Sequence, residues 1–345
     1  MPGMHLDDVV RESVTLAEAF REHCRAYGYS EGERDTLRSH TNKTIRFNNS
    51  SISVLAQECD FNRTPPRFLL QPALRLRNQA SIRHTGQMSP FGCYFIAFGT
   101  IAPPSVLERA FEHFETFFVD ALGIPADRLV LRGTADDPDL CALLRGARVP
   151  VEIDGCEQRL FRHRFGVDGV TGRNVNMAVI SGGRLFDVAN FIVMERDGEK
   201  WALETAFGIN NIVTRVHQLA HPVLATAAAC LQSDDEQRFI YLDALSSAVA
   251  LALEGFKPQS RGREGNYRRF ITALLPIWQR EPKVLTDAVH SAMHAEVAIR
   301  RHISPARSLD LGADEAAEFL LAHINHVAGC SEQSSLTSPG ARRDS

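Results

Sequence analysis

The sequence predicts an α+β fold: one N-terminal amphipathic helix, a middle region of mixed strands, and then successive helices. Three observations carry that reading. Apolar residues recur at helical spacing over residues 9–24. Runs rich in aromatic and β-branched residues, punctuated by Gly and Pro, occupy about residues 67–205. From about Asp234 the apolar period is helical throughout. A βαβ protein would interleave the two periods, and this chain does not.

In chain order, Val9, Val10, Val14, Leu16, Ala17, Phe20 and Cys24 make the first helix stripe, stopped by Gly28. Thr44–Asn48, Arg67–Leu76 and Cys93–Ile101 read as strands, and Pro103-Pro104 ends the third. Val106, Leu107, Ala110, Phe111, Phe114, Phe117, Phe118 and Leu122 form a second stripe closed by Gly123; phenylalanines at helical spacing are core residues before they are a cofactor box. Arg128–Leu131 is a short strand and Asp139–Arg145 a short helix. Asn176–Ser181, Leu185–Arg196 and Lys200–Thr205 are strands, the last two joined at Asp197-Gly198, a hairpin turn. Helices follow over 235–254, 264–279, 282–301 and 314–328, and residues 331–345 read as a disordered tail.

Composition narrows the class. A chain of 345 residues, 44% hydrophobic and 23% charged, suits two domains, or one large domain with an appendage. It is not a disordered chain, a coiled coil or a disulfide-stapled miniprotein. Apolar runs such as Ala248–Leu253 fall far short of the ~20 residues of a membrane span, so no membrane partner is expected. Asp7, Asp8, Arg11 and Glu12 crowd the start, unlike a secretory signal, and a cytoplasmic location is expected. The seven cysteines are scattered without a Cys-x-x-Cys pair, which argues for free thiols and against zinc. A net charge of −4 gives no global attraction to DNA. The cations are nearly all arginine, the residue suited to bidentate phosphate and carboxylate contacts.

The common nucleotide and hydrolase motifs, Walker loop, Gly-x-Gly-x-x-Gly and Gly-x-Ser-x-Gly, are absent from the sequence. His290 with His294, and His323 with His326 and Cys330, have ligand-like spacing. They lack an accompanying metalloprotease pattern and read as solvated helix faces.

A more specific pattern begins at Gln71-Pro72-Ala73-Leu74-Arg75 and continues through Arg83-His84-Thr85 to Phe91-Gly92-Cys93-Tyr94-Phe95. This order resembles motif 2 of alanyl-tRNA synthetases: a strand ending in arginine, a loop, an Arg-His stretch and an aromatic strand. Leu122-Gly123-Ile124-Pro125-Ala126-Asp127-Arg128-Leu129, Thr171-Gly172, Asn190-Phe191-Ile192-Val193-Met194 and Glu204-Thr205-Ala206-Phe207-Gly208 resemble later segments of that family in the same order. The last of these is similar to its motif 3. Glu254-Gly255-Phe256-Lys257-Pro258, then Arg263 and Arg268-Arg269-Phe270-Ile271, extend the likeness to about residue 275.

The resemblance implies a class II synthetase-like catalytic domain over residues 1–230, an antiparallel sheet flanked by helices, followed by a small all-helical domain over 231–330. It implies ATP or another adenylate-like nucleotide, with Mg2+, and a small amino acid, alanine foremost, as ligands. tRNA is a further partner, and pairing of two copies, common in that class, is a further expectation. Arg75, Arg83 and His84 would be catalytic, contacting phosphate or acceptor. Glu204 would meet the α-amino group, with Asn190, Gly208, Met88 and Thr171 around the substrate. The bottom-up logic agrees: acyl transfer from or to a phosphate builds negative charge, which a fixed arginine stabilises, and an ammonium calls for a buried carboxylate.

Departures from the family shape the functional expectation. Asn211 stands where motif 3 has the arginine that grips ATP, with Arg215 one helical turn on as a candidate replacement phosphate contact. Asn174 and Met177 replace two cysteines, and Ser260 replaces an asparagine. Two functions follow. One is an aminoacyl transferase that activates a small amino acid with ATP, or takes it from charged tRNA, and passes it to a small-molecule or nucleoside acceptor in specialised metabolism. The other is a non-catalytic paralogue that binds amino acid, nucleotide or tRNA as a regulator. Ordinary charging of tRNA-Ala ranks below both.

Overall fold

The computed structural model describes residues 4–40, 45–60, 63–76, 88–154, 158–165, 169–232, 235, 237–303 and 311–336. Helix α1 (Leu6–Ala26) begins with Asp7 and Asp8 in its first turn, where acids complement the helix dipole, and ends before Gly28 at φ 83°. It buries Val9, Ala17, Phe20 and Cys24, the stripe expected from spacing.

Nine strands form one sheet: β1 (Ser30–Glu31), β2 (Arg67–Leu74), β3 (Tyr94–Ala102), β4 (Leu129–Thr134), β5 (Val151–Asp154), β6 (Arg162–Arg164), β7 (Val170–Ser181), β8 (Arg184–Arg196) and β9 (Glu199–Gly208). The order is β1-β2-β3-β9-β8-β7-β4-β5, with β6 pairing to β7. Only β1/β2 and β4/β5 are parallel. The β8–β9 turn is the Asp197-Gly198 hairpin, both residues at positive φ (52° and 87°). Helices α2 (Leu107–Thr116), α3 (Pro138–Leu144) and α4 (Ile209–Val216) belong to the sheet region. Helices α5 (Arg238–Leu253), α6 (Gly262–Arg280), α7 (Pro282–Ile303) and α8 (Ala313–Leu336) follow it. This is the expected α+β sheet flanked by helices, with a helical layer after it.

The main core lies on one face of the sheet. Phe20 of α1 stacks on Phe98 of β3 with ring centres 4.9 Å apart, and Phe117 stacks on Phe207 of β9 at 5.3 Å. Phe114, Phe117 and Phe118 are all at most 2% exposed, so the phenylalanine stripe is core. The same cluster continues without a break through Leu245, Tyr267, Leu285 and Leu320, so the expected 230/231 boundary is not a seam in the packing. The other face carries a smaller cluster, in which Ile52, Leu55 and Cys59 cover Leu69, Ile101, Ile192 and Trp201.

Polar contacts weld the helical layer to the sheet. Arg300, 1% exposed, donates from Nε to Glu296 at 2.8 Å and from Nη1 to Glu254 at 2.9 Å. Tyr94 Oη donates to Glu296, and the second Glu254 oxygen accepts the Leu37 amide at 2.8 Å. Asp243 accepts the Cys93 amide at 2.6 Å.

The structure corrects several expectations. Residues 45–47 form bends and Asn48 is irregular, so no strand forms there; residue 44 lies outside the described residues. Asn48 instead makes single backbone bonds to Leu37 and Leu74, and its Nδ2 donates to the Thr36 carbonyl, which replaces a ladder. Helix α4 has no counterpart in the reading of the sequence, although Ile209, Ile212, Val213 and Val216 carry the i, i+3, i+4, i+7 spacing. Helix α8 runs to Leu336, into the segment read as a disordered tail.

Gly99 of β3 has a tight packing requirement. A Cβ built there would sit 1.7 Å from Ser51 Oγ and 2.6 Å from Ser51 Cβ. Gly99→Ala should therefore cost about 1–3 kcal/mol of unfolding free energy in a urea titration. Ser51→Gly combined with Gly99→Ala should recover most of that loss; a double variant no better than the single would show that the clash is not the cause.

Candidate functional site

The smaller cluster covers only part of its face. Alternation along the paired strands places Arg75 just past β2, Phe95 and Ala97 of β3, Glu204, Ala206 and Gly208 of β9, and Asn190 of β8 on this same side. The register joins Ala97 to Gly208, Ala206 to Asn190, and Ala73 to Phe95. Three of these residues are small: Ala97 is buried, Ala206 packs against the smaller cluster, and Gly208 carries no side chain. Gly208 is small for a reason: a Cβ there would meet the Phe95 ring at 3.1 Å.

Arg75 is exposed and held at two points. Its Nε donates to the Asn49 carbonyl at 2.9 Å, and its guanidinium carbon lies 4.9 Å from the Phe95 ring centre. Its amide bonds to the Cys93 carbonyl at 2.8 Å, which fixes where the chain leaves the sheet.

Glu204 is 2% exposed between the ladder neighbours Ile101 and Ile192, and its Oε2 has no hydrogen-bond partner among the described residues. Burial pushes its carboxyl up to about 8, while the charge of Arg75 acts in the opposite sense. The two groups therefore share one electrostatic neighbourhood on one sheet face. Without a cationic ligand Glu204 holds its proton at neutral pH. An ammonium placed against it would convert it to a carboxylate.

Beside them runs a row of polar groups of which the sequence reading named only Asn174, as the replacement of a cysteine. His163 Nδ1 and Asn174 Oδ1 are 2.9 Å apart, Asn174 donates to Asn176, and Asn176 donates to Asp187 Oδ2 at 2.9 Å. Arg132 of β4 donates to Asp187 Oδ1 at 3.0 Å. Two asparagines flanking one valine, Asn174-Val175-Asn176, were the available signal, since they share a face and need polar neighbours. Asn190 lies opposite Asn176 and its side chain makes no hydrogen bond among the described residues.

The other expected site residues are placed elsewhere. Arg83 and His84 lie outside the described residues. Met88 is half-buried against the main core, on the opposite face from Glu204. Thr171 is exposed and alternates with Gly172, which puts it on the other side of β7 from Asn174; it borders a cleft of 290 Å³ with Arg162, Arg164 and Glu195. Asn211 donates to the Asp187 carbonyl at 3.0 Å, so it docks α4 onto β8. Arg215 stacks on Phe186, whose ladder partner Val179 belongs to the main core, and so it is not on the Glu204 face.

Among the described residues no group of three His, Cys, Asp or Glu could hold a metal, and no helix is long and apolar enough to cross a membrane. His290 pairs with Glu318 at 3.5 Å and His294 with Asp314 at 2.9 Å.

No protein-family profile and no curated protein sequence matches the chain. Among solved structures it is similar to asparaginyl-tRNA synthetase of Entamoeba histolytica in complex with asparaginyl-adenylate. The identity is 11% over 64% of this chain and 66% of that one, with a TM-score of 0.39. It is also similar to asparaginyl-tRNA synthetase of Pyrococcus horikoshii complexed with asparaginyl-adenylate (11%, 64% and 68%, TM-score 0.40). A third is a pyrrolysyl tRNA synthetase of Desulfitobacterium hafniense (11%, 60% and 69%, TM-score 0.35). The chain spans about two-thirds of the length of these proteins, and the likeness is one of outline.

The buried carboxyl has a consequence for stability. A free glutamate releases its proton near 4.5, whereas folded Glu204 holds it to about 8. The contribution is present below 4.5 and is lost as pH rises through 8, so stability falls across that window. Glu204→Gln should flatten this slope in melting temperatures recorded from pH 5 to 8. Parallel slopes for the two proteins would show that Glu204 is not the titrating group.

Proposed function

We propose that this chain is a class II synthetase-like aminoacyl transferase. It handles alanine or another small amino acid together with an adenylate-like nucleotide, and transfers the acyl group to or from a small-molecule or nucleoside acceptor. The observation that carries this reading is Glu204: a buried carboxyl, one oxygen of which has no partner among the described residues, on the same sheet face as Arg75. The ordered motifs over residues 71–208 supply the identity of the ligands.

In this reading Glu204 binds the α-ammonium and Asn190 lies beside the acyl group. Arg75 faces the phosphate, or a sulfamate in its place, and spreads the charge that builds there. With charged tRNA as donor, the acceptor nitrogen or oxygen bonds to the acyl carbon as the ester bond to the tRNA ribose breaks. The acceptor proton ends on the freed ribose oxygen. The donor set fits a nucleotide better than a protein-caged metal, so Mg2+ would ride on the nucleotide's phosphates, as that ion commonly does.

Replacement of the ATP-gripping arginine by Asn211, which is spent on docking α4, favours charged tRNA over ATP as the source of the acyl group. The same observation favours the second reading, a regulator that binds these ligands without turnover.

Purified protein, alanyl-tRNA and a 5′-sulfamoyl nucleoside should yield the alanylated nucleoside by mass spectrometry. Arg75→Ala should lower that rate by ~100-fold or more without changing the circular dichroism spectrum. Brisk ATP–pyrophosphate exchange with alanine would make ATP the acyl activator instead. Binding of an alanyl-adenylate mimic with no transfer to any acceptor would replace the enzyme reading by the regulator.

A further inference from the structure

The opposite face of β8 carries an arrangement that the transfer reading does not use. Arg215 of α4 is 6% exposed, and its guanidinium carbon sits 3.7 Å from the centre of the Phe186 ring. Among the described residues its buried Nε has no hydrogen-bond partner, and no carboxylate pairs with it. Arg184 approaches the same ring at 5.8 Å and acts on Arg215 as a like charge. A third guanidinium is close, because Arg128 Nη2 reaches the Arg215 carbonyl at 3.5 Å.

This is an unusual charge pattern. A buried cation is ordinarily neutralised by an acid, and elsewhere in this chain Arg300 follows that rule with Glu296 and Glu254. Here two arginines converge on one phenyl ring, and among the described residues no acid pairs with either. The ring supplies attraction for the inner cation and keeps its plane fixed. The outer arginine is exposed beside the Gly182-Gly183 turn, at the end of a hairpin that extends past the last residue of β9, so the arrangement opens to solvent. Burial and Arg184 together hold the Arg215 guanidinium below its usual value, which an approaching anion would reverse.

We propose that Arg215, Arg184 and Phe186 form an oxyanion site that takes a phosphate group, separate from the Glu204 face. Planar, forked donors suit phosphate oxygens, and a fixed inner arginine with a movable outer one can close on a single phosphate. A free phosphate ester and the backbone of an RNA present the same chemistry.

The test uses the full chain, with Arg184→Met and Arg215→Met. Inorganic phosphate at millimolar concentration, against chloride of equal ionic strength, should raise the melting temperature of the unaltered protein by a few degrees. Both substitutions should abolish the shift while binding of an alanyl-adenylate mimic stays unchanged, which separates this site from the transfer site. Arg184 is exposed, so its variant tests the site even where Arg215→Met fails to fold. A short single-stranded RNA then distinguishes the source. Binding of the RNA that weakens about tenfold in Arg184→Met, with a shallower salt dependence, makes the backbone the ligand. Loss of the phosphate effect without any change in RNA binding makes it a free phosphate ester. An equal phosphate shift in all three proteins, or none in the unaltered one, overturns the proposal.

Discussion

Arg300 is the constraint on which the arrangement rests. A guanidinium buried to 1% exposure must have its charge and its donors met, and here Glu296, Glu254 and the Ala250 carbonyl meet them. Breaking such a pair typically costs about 3–5 kcal/mol, because the remaining charge stays buried. Its partners reach outward: Glu296 holds Tyr94 of β3, and Glu254 holds the Leu37 amide. Strand β3 is thereby pinned from the main-core side, and the alternation of a strand does the rest. With Tyr94 fixed on one face, Phe95 must stand on the other, against Arg75 and over Gly208. The helical layer thus helps set the geometry of the candidate site without contributing a residue to it.

The sheet divides two kinds of charge. On one face a neutral, proton-holding Glu204 lies near Arg75, beside asparagines and an Asp187 already engaged by Arg132. On the other, Arg215 and Arg184 share Phe186, and no acid among the described residues pairs with them. The bulge between β7 and β8 at Met177/Ala178 makes this separation possible. One extra residue on β8 lets Asp187 face Asn176 while Phe186 turns to the main core.

Much of the fold was legible. The α1 and α2 stripes, the long strands β2, β3 and β8, and the Asp197-Gly198 hairpin all declare themselves through spacing or turn chemistry, because each repeats its signal over many residues. The shortest strands do not. Strand β1 has two residues and β6 three, fewer than a period can reveal. Asn48 shows the opposite failure: a strand-like run bends because its hydrogen bonds are better met by Leu37, Thr36 and Leu74. Within the site, Arg75, Glu204, Asn190 and Gly208 fall on one face, while Met88 and Thr171 fall on the other, and motif order alone carries no information about faces.

By itself, then, the sequence determined the order of helices and strands, the buried stripes and the candidate pairing of a cation with an acid, since these depend on local periodicity and residue chemistry. Tertiary structure alone decided that Glu204 is buried with one oxygen unpartnered among the described residues, that Asn211 is a docking residue, and that Arg215 sits on the far side of β8. Those are facts about distance and dielectric surroundings, which arise when strands far apart in the chain take a common register.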